Sequence, residues 1–504
     1  MAVSERLFAA LCAEAKKNRI PLLTSLLVGA VTYFFCFTNK LENIDDMACL
    51  FGQGDTVASG RWGLELMEKL YPASSVPWLN GIVSLLLLSA AICVIVRMFR
   101  IQSPLLSALL AALLVSFPSQ VCTFGYMFTA VPYALALLLA VASAERLSRE
   151  LTRGRILAAV LLLMCSLSLY QVYVAAAASL LVVDAFSRTL RGEEDGRAIL
   201  RRGGAYVLCL AAAMGIYYAV TAAVRAATGT ELSEYAEGNL GGIGGILFGI
   251  RVAYTSFVGY FYKGYYDLVP TALSKSAHLA AVLVTAVLLG AHFRKRENRS
   301  GGRLWVALLC LALLPAAVNC IRIISTLFHN LMLFSFTSVY VLAAVTLEVC
   351  GAECKKIWRN GAVDLLALCM LAAAGTNIGF ANRVYTKMYM QFEQAETFYT
   401  SVIAQVMQLE GYTADSPLCI VGSNEIFYDV PLADTEQFAG ITNGIIGTYG
   451  QANFIRAYLG LHLNVAGWDV TDALAQDPRV VEMPSYPANG SIQNIDGYYV
   501  VKLG

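Results

Sequence analysis

Residues 82–96 read IVSLLLLSAAICVIV, residues 105–117 read LLSALLAALLVSF, and residues 304–320 read LWVALLCLALLPAAVNC. No charged side chain falls inside any of the three, and each is followed within two residues by arginine or proline. Long uncharged apolar blocks ended in this way are the signature of membrane-crossing helices. The whole composition agrees: of 504 residues, 58% are hydrophobic and only 14% are charged, whereas soluble domains carry about a quarter charged residues. The expected fold class is an α-helical polytopic membrane protein.

Basic residues lie in short clusters between the apolar blocks: Lys16, Lys17 and Arg19; Arg97 and Arg100; then residues 146–155, 188–202, 294–303 and 355–359. Their scatter along a chain of net charge +1 argues against a nucleic-acid partner. The positive-inside rule puts every cluster in the cytoplasm, so crossings come in pairs between them. The pairs are 20–38 with 77–96, 103–118 with 126–144, 204–224 with 271–291, and 304–320 with 331–349. Parity requires residues 156–186 to cross twice or form a re-entrant hairpin, broken at Tyr170-Gln171. A last span at 362–380 brings the expected total to about eleven, with the N-terminus cytoplasmic.

The N-terminal stretch has charges spread through it and no cleavage-site pattern, so it reads as a cytosolic helix and not a signal peptide. The thirteen cysteines include no CxxC pair, and most sit in or beside apolar runs as small hydrophobes. After Phe380 the composition turns polar, and strand-like runs appear at 418–422 and 498–503 with helix-like segments at 391–410 and 451–462. The expected organisation is a membrane domain, 1–380, with a first external loop at 39–77, and a small α/β extracytoplasmic domain, 381–504.

That first loop reads NKLENIDDMACLFGQGDTVASGRWGLELMEKLYPASSVP. Asp45 and Asp46 follow the first span by a few residues, at the membrane surface. They suit two roles that can coexist: capping the helix that follows from Met47, or serving as a base toward a lipid-linked substrate. Ser59-Gly60-Arg61-Trp62 opens a second helical stretch suited to the interface. Arg61 is either a phosphate or aspartate partner or a solvated surface arginine, and Trp62 is an interfacial anchor. Arg322 and His329 fall on the external side by parity, where a basic residue is disfavoured. Arg322 is therefore either a phosphate ligand or a snorkelling arginine. Lys263 sits in a tyrosine-rich run, 260–266, that either stacks on sugars or forms an interfacial belt. The glycines at 238–242 follow no strand and make no nucleotide fingerprint.

The order of a first span, an N-x-D-D setting (Asn43, Asp45, Asp46), G-R-W at 60–62 and S-L-Y-Q-V-Y at 168–173 resembles the type II O-antigen glucosyltransferase family, over roughly residues 20–380. That resemblance implies a GT-C architecture. It implies a hexose, glucose by the family's name, moved from a polyprenyl-phosphate donor to a surface glycan on the external face of a bacterial cytoplasmic (inner) membrane. It assigns the general base to Asp45 or Asp46. Candidate donor-phosphate residues are Arg61, Arg322 and Lys263, and candidate substrate-lining residues are Trp62, Tyr170, Gln171 and His329. The adjacent acids are also a candidate pair for Mg or Mn, although two carboxylates fall short of a full oxygen shell. A transporter or flippase is the main alternative. Such proteins gather ionisable residues in mid-membrane and often show repeated halves, and no repeat is visible here.

Overall fold

The computed structural model describes residues 3–50, 56–71, 75–231, 242–265, 268, 270–325, 328–353, 356–422, 438–442 and 444–503. It is mostly helical. After the amphipathic α1 (Val3–Lys17) come α2 (Arg19–Thr38), the short α3 (Ile44–Ala48) and α4 (Trp62–Leu70) of the first loop, and α5 (Pro77–Met98). Then follow α6 (Pro104–Val115), α7 (Pro118–Gly125), α8 (Met127–Ser148), α9 (Arg153–Leu169), α10 (Val174–Arg191) and α11 (Gly196–Thr228). Helices α12 (Gly242–Tyr262), α13 (Ala272–Arg294), α14 (Arg296–Arg299), α15 (Arg303–Val318), α16 (Cys320–Ile324), α17 (Ser338–Cys350) and α18 (Lys356–Val406) complete the apolar part.

Among the described residues nine helices are long and apolar enough to cross a membrane, or ten if the bent pair α6–α7 is one span. The chain is therefore a polytopic membrane protein. Helix α9, with 17 residues, is shorter than a usual crossing. Two expected spans differ in form. Residues 103–118 are not one straight helix, because Pro118 ends α6 and the axis bends by 45° into α7. The last span is not confined to 362–380 either. Helix α18 runs 51 residues without a break through Phe380 and takes up most of the helix expected at 391–410. At 1.5 Å per residue that is about 77 Å, more than twice the hydrocarbon thickness.

A broken helix frees carbonyls that lipid cannot satisfy. Around α7 the protein supplies the donors. The Tyr33 hydroxyl donates to Val115 O at 2.6 Å, the Tyr385 hydroxyl to Val121 O at 3.0 Å, and Asn43 Nδ2 to Gly125 O at 2.6 Å. The second break lies where the sequence places it: α9 ends at Leu169, a 3₁₀ turn covers Gln171–Tyr173, and α10 follows. Helix α12 packs on α16, where Gly249 lets the backbones meet; a Cβ there would lie 2.9 Å from Ile323 Cα. The Tyr260 and Phe261 rings of α12 are buried against Phe336, so this part of the tyrosine-rich run is packed inside the protein and is not an outer belt.

Beyond α18 the strands β1 (Leu418–Val421), β2 (Ile492–Ile495) and β3 (Tyr498–Lys502) form one sheet in the order β1-β3-β2. The pair β1–β3 is parallel and β2–β3 antiparallel. Helices α19 (Gln451–Tyr458), α20 (Trp468–Ala475) and α21 (Pro478–Glu482) accompany them. The far half of α18 contributes Phe398, Tyr399, Val402 and Ile403 to the core of this region, and Met47 of α3 is buried in the same core. The first loop is thereby packed between the membrane helices and the C-terminal region.

Candidate active site

The first loop's sharp chemistry begins at α3. Asn43 is its N-cap, its side chain accepting from Asp46 N at 2.9 Å. Asp45 and Asp46 therefore lie inside α3, and neither caps a helix beginning at Met47. Asp46 instead caps a helix 81 residues away in sequence. Its Oδ1 accepts from Phe128 N at 2.9 Å and its Oδ2 from Met127 N at 3.3 Å, at the first turn of α8. A carboxylate at a helix N-terminus satisfies otherwise unpaired amides and meets the positive end of the helix dipole.

Asp45 is only half-buried, and the Tyr449 hydroxyl donates to its Oδ1. Glu42, one turn earlier and buried, pairs with Lys40 at 3.0 Å and accepts from the Tyr458 hydroxyl. Burial and the neighbouring Glu42 push the Asp46 carboxyl well above the usual range, against the two amides, which favour the anion. Burial also raises Glu42 in spite of Lys40. In both cases the folded state holds the proton more tightly than the unfolded chain, whose carboxylates titrate near 4. Stability from this source is full below about pH 4 and is lost as pH rises through the raised values. The protein in detergent is therefore expected to melt at a higher temperature at pH 5.5 than at pH 7.5, with a smaller difference in Asp46→Asn. An equal difference in the two proteins would refute this assignment.

The other first-loop motif docks on the second helix break. Gly60, at φ +75°, presents its carbonyl to the Tyr217 hydroxyl at 2.9 Å. Gln171 Nε2 donates to Ser59 O and to the Tyr217 hydroxyl, both at 2.9 Å. Trp62 Nε1 donates to Thr221 Oγ1 at 3.2 Å. Arg61 Nη1 donates to the Tyr133 hydroxyl at 3.0 Å, and its guanidinium lies 5.5 Å from the centre of the Tyr170 ring. Tyr133 and Tyr170 stack at 4.1 Å between ring centres. So Arg61, Trp62, Tyr170 and Gln171 converge, with the Arg61 guanidinium held against the Tyr133 and Tyr170 rings. Six residues of α8, about 9 Å along its axis, separate the Asp46 anchor at Met127 from Tyr133.

Arg322, Lys263 and His329 lie on other elements. Arg322 Nη1 donates to Ser325 O at 2.7 Å, closing its own short helix. Lys263 is exposed just beyond α12, and His329 is half-buried at the start of the 3₁₀ turn Asn330–Met332, which packs on α7. Gly238 to Gly241 lie outside the described residues. For Mg or Mn the donor set does not fit: both Asp46 oxygens are taken by amides, and no group of three or more His, Cys, Asp or Glu among the described residues is arranged for a metal.

Tyr449, Tyr458, Tyr133 and Tyr217 escape the sequence reading. A lone tyrosine in a glycine-rich stretch or on an apolar helix carries no local mark of its distant partner. Tyr449 and Tyr458 also lie hundreds of residues from the acids they meet.

A helical membrane bundle with an acid-bearing loop pinned over two helix breaks is the framework of a membrane-embedded transferase or carrier. The family comparison decides between them. Residues 34–375 match the family described as Glucosyl transferase GtrII, and the chain belongs to that family; it is a membrane glycosyltransferase. The match spans both first-loop motifs and both helix breaks, and it stops before Tyr449. No curated protein and no solved structure shows a significant match to the chain.

Proposed function

We propose that the chain is a GT-C-type hexosyltransferase that takes glucose, or a closely related hexose, from a polyprenyl-phosphate donor and transfers it to a surface glycan. In this reading the N-terminus is cytoplasmic, the first loop and residues 381–504 face the outside of a bacterial inner membrane, and the reaction inverts the anomeric centre. The observation that carries it is the unequal setting of the two aspartates within a glucosyl transferase. Asp46 is committed to two amides of α8, while Asp45 keeps a half-exposed carboxylate beside it.

The acceptor hydroxyl oxygen attacks the anomeric carbon, and the bond from that carbon to the donor phosphate breaks. The electron pair leaves with the phosphate, and the hydroxyl proton passes to Asp45. Arg61 is the first candidate to steady the leaving phosphate, because a guanidinium offers paired donors and its position is already fixed by Tyr133 and Tyr170. Arg322 and Lys263 are candidates for the donor's path toward it, and His329, Trp62, Tyr170 and Gln171 for the lining.

Proteoliposomes holding the full-length protein and radiolabelled polyprenyl-phosphate-glucose test this directly. Release of polyprenyl phosphate with label moving to a glycan acceptor is the expected result. Movement of intact donor across the bilayer without transfer would make the chain a carrier and overturn the proposal.

A further inference from the structure

The same helices that hold the first loop carry a second polar site at their other ends. Between Met127 and Ser148 helix α8 spans about 33 Å. At its far end it meets the ends of α5 and α10 and the start of α11 around a cavity of about 510 Å³. Six arginines line this cavity with four carboxylates, Glu145, Glu150, Asp184 and Glu193, and two more carboxylates behind the wall, Glu14 and Glu194, pair with lining arginines. The pairing is not spread evenly. Arg188 pairs with Asp184 at 2.8 Å and Glu194 at 3.0 Å, Arg202 with Glu194 at 3.0 Å, Arg100 with Glu193 at 2.5 Å, and Arg149 and Arg97 with Glu145.

Arg191 differs from the rest. Its Nη2 donates to Phe99 O at 2.9 Å and its Nε to Ser187 Oγ at 3.3 Å. Among the described residues it is the lining arginine with no carboxylate within ion-pair distance. A half-buried guanidinium bonded only to neutral oxygens retains its attraction for an anion. Met98 gives the wall an apolar edge at the end of a membrane helix, the depth at which phospholipid headgroups lie.

We propose that this cavity binds an anionic phosphate group through Arg191, supplied by a lipid headgroup at the membrane surface or by a soluble phosphate. It is separate from the first-loop site and does not depend on the assignment of the catalytic base.

The test uses the full-length protein in detergent. Native mass spectrometry compares retention of phosphatidylglycerol with that of phosphatidylcholine, whose phosphate is offset by choline. Thermal shift with inorganic pyrophosphate forms the second arm. Preferential retention of phosphatidylglycerol is expected, reduced about tenfold or more in Arg191→Gln. Met98→Trp, which narrows the cavity without removing charge, should reduce it as well, while exposed Arg153→Gln should not. Stabilisation by pyrophosphate, abolished by Arg191→Gln, without lipid preference would support the phosphate site and name a soluble source. Equal retention of both lipids with no pyrophosphate effect, or wild-type phosphatidylglycerol retention in both cavity variants, would overturn the proposal and leave a purely structural ion-pair network.

Discussion

Asp45→Asn is expected to lower glucose transfer by roughly 100- to 10,000-fold at unchanged expression and melting temperature, the loss typical of removing a positioned base. Asparagine keeps the shape and can still accept from the Tyr449 hydroxyl, so the half-exposed end of α3 has no reason to move. What disappears is a group basic enough to take the acceptor's proton. Asp46→Asn should behave in the opposite way. Its amide nitrogen must face Met127 N or Phe128 N, donor against donor. The expected result is a cap defect of about 0.5–2 kcal/mol, with transfer largely kept once the protein is folded. Rates measured on purified, equally folded protein separate the two. A dead Asp46→Asn of native stability beside an active Asp45→Asn would move the base to Asp46, and two active variants would remove the base from this loop altogether.

The contrast between the two acids marks what the sequence can and cannot show. Their position after the first apolar block is legible, because hydrophobic length and charge asymmetry place a loop without any knowledge of packing. The helix break at Tyr170-Gln171 is legible for the same reason: the largely apolar residues 156–186 between basic clusters do not satisfy parity as one helix. What Asp46 does is not legible, since its partners are the backbone amides of residues 127 and 128, and an amide has no residue identity to recognise. The bend at Pro118 needed tertiary donors such as Tyr33 and Tyr385 to be affordable in a membrane, and nothing local to α7 names them. The continuity of α18 was hidden by its change from apolar to amphipathic near Phe380, which reads as a boundary although the backbone hydrogen bonding never stops. Short G-R-W and S-L-Y-Q-V-Y segments were each visible, yet their union through Gln171, Tyr217 and Gly60 is a property of the folded chain alone.

Gly63→Ala tests that union with a single methyl group. Gly63 lies in the first turn of α4, one residue after Trp62 and two after Arg61, and it is buried against α9. A Cβ at this position would lie 2.9 Å from both the backbone carbon and the carbonyl oxygen of Ser168, inside van der Waals contact. Backbone cannot rotate aside as a flexible side chain can, so α4 and α9 must separate. The expected stability cost is about 1–3 kcal/mol, as for other overpacked sites. Separation also carries Arg61 away from Tyr133 and Tyr170, and a shift near 1 Å in a positioning group lowers a rate by about 100-fold. Transfer should therefore fall by about that factor even at a temperature where the variant remains folded. Removing the serine hydroxyl as well, in Gly63→Ala with Ser168→Ala, should restore little, because the backbone atoms of residue 168 still obstruct the methyl. Gly203→Ala in α11 serves as the counterpart: nothing lies within 4 Å of its added Cβ, and a helix-interior glycine replaced by alanine gains about 0.5–1 kcal/mol. Wild-type melting and transfer in Gly63→Ala would show that the G-R-W segment does not sit on the Tyr170 break. Full rescue by Ser168→Ala would place the contact on the hydroxyl and loosen the link between docking and the reaction.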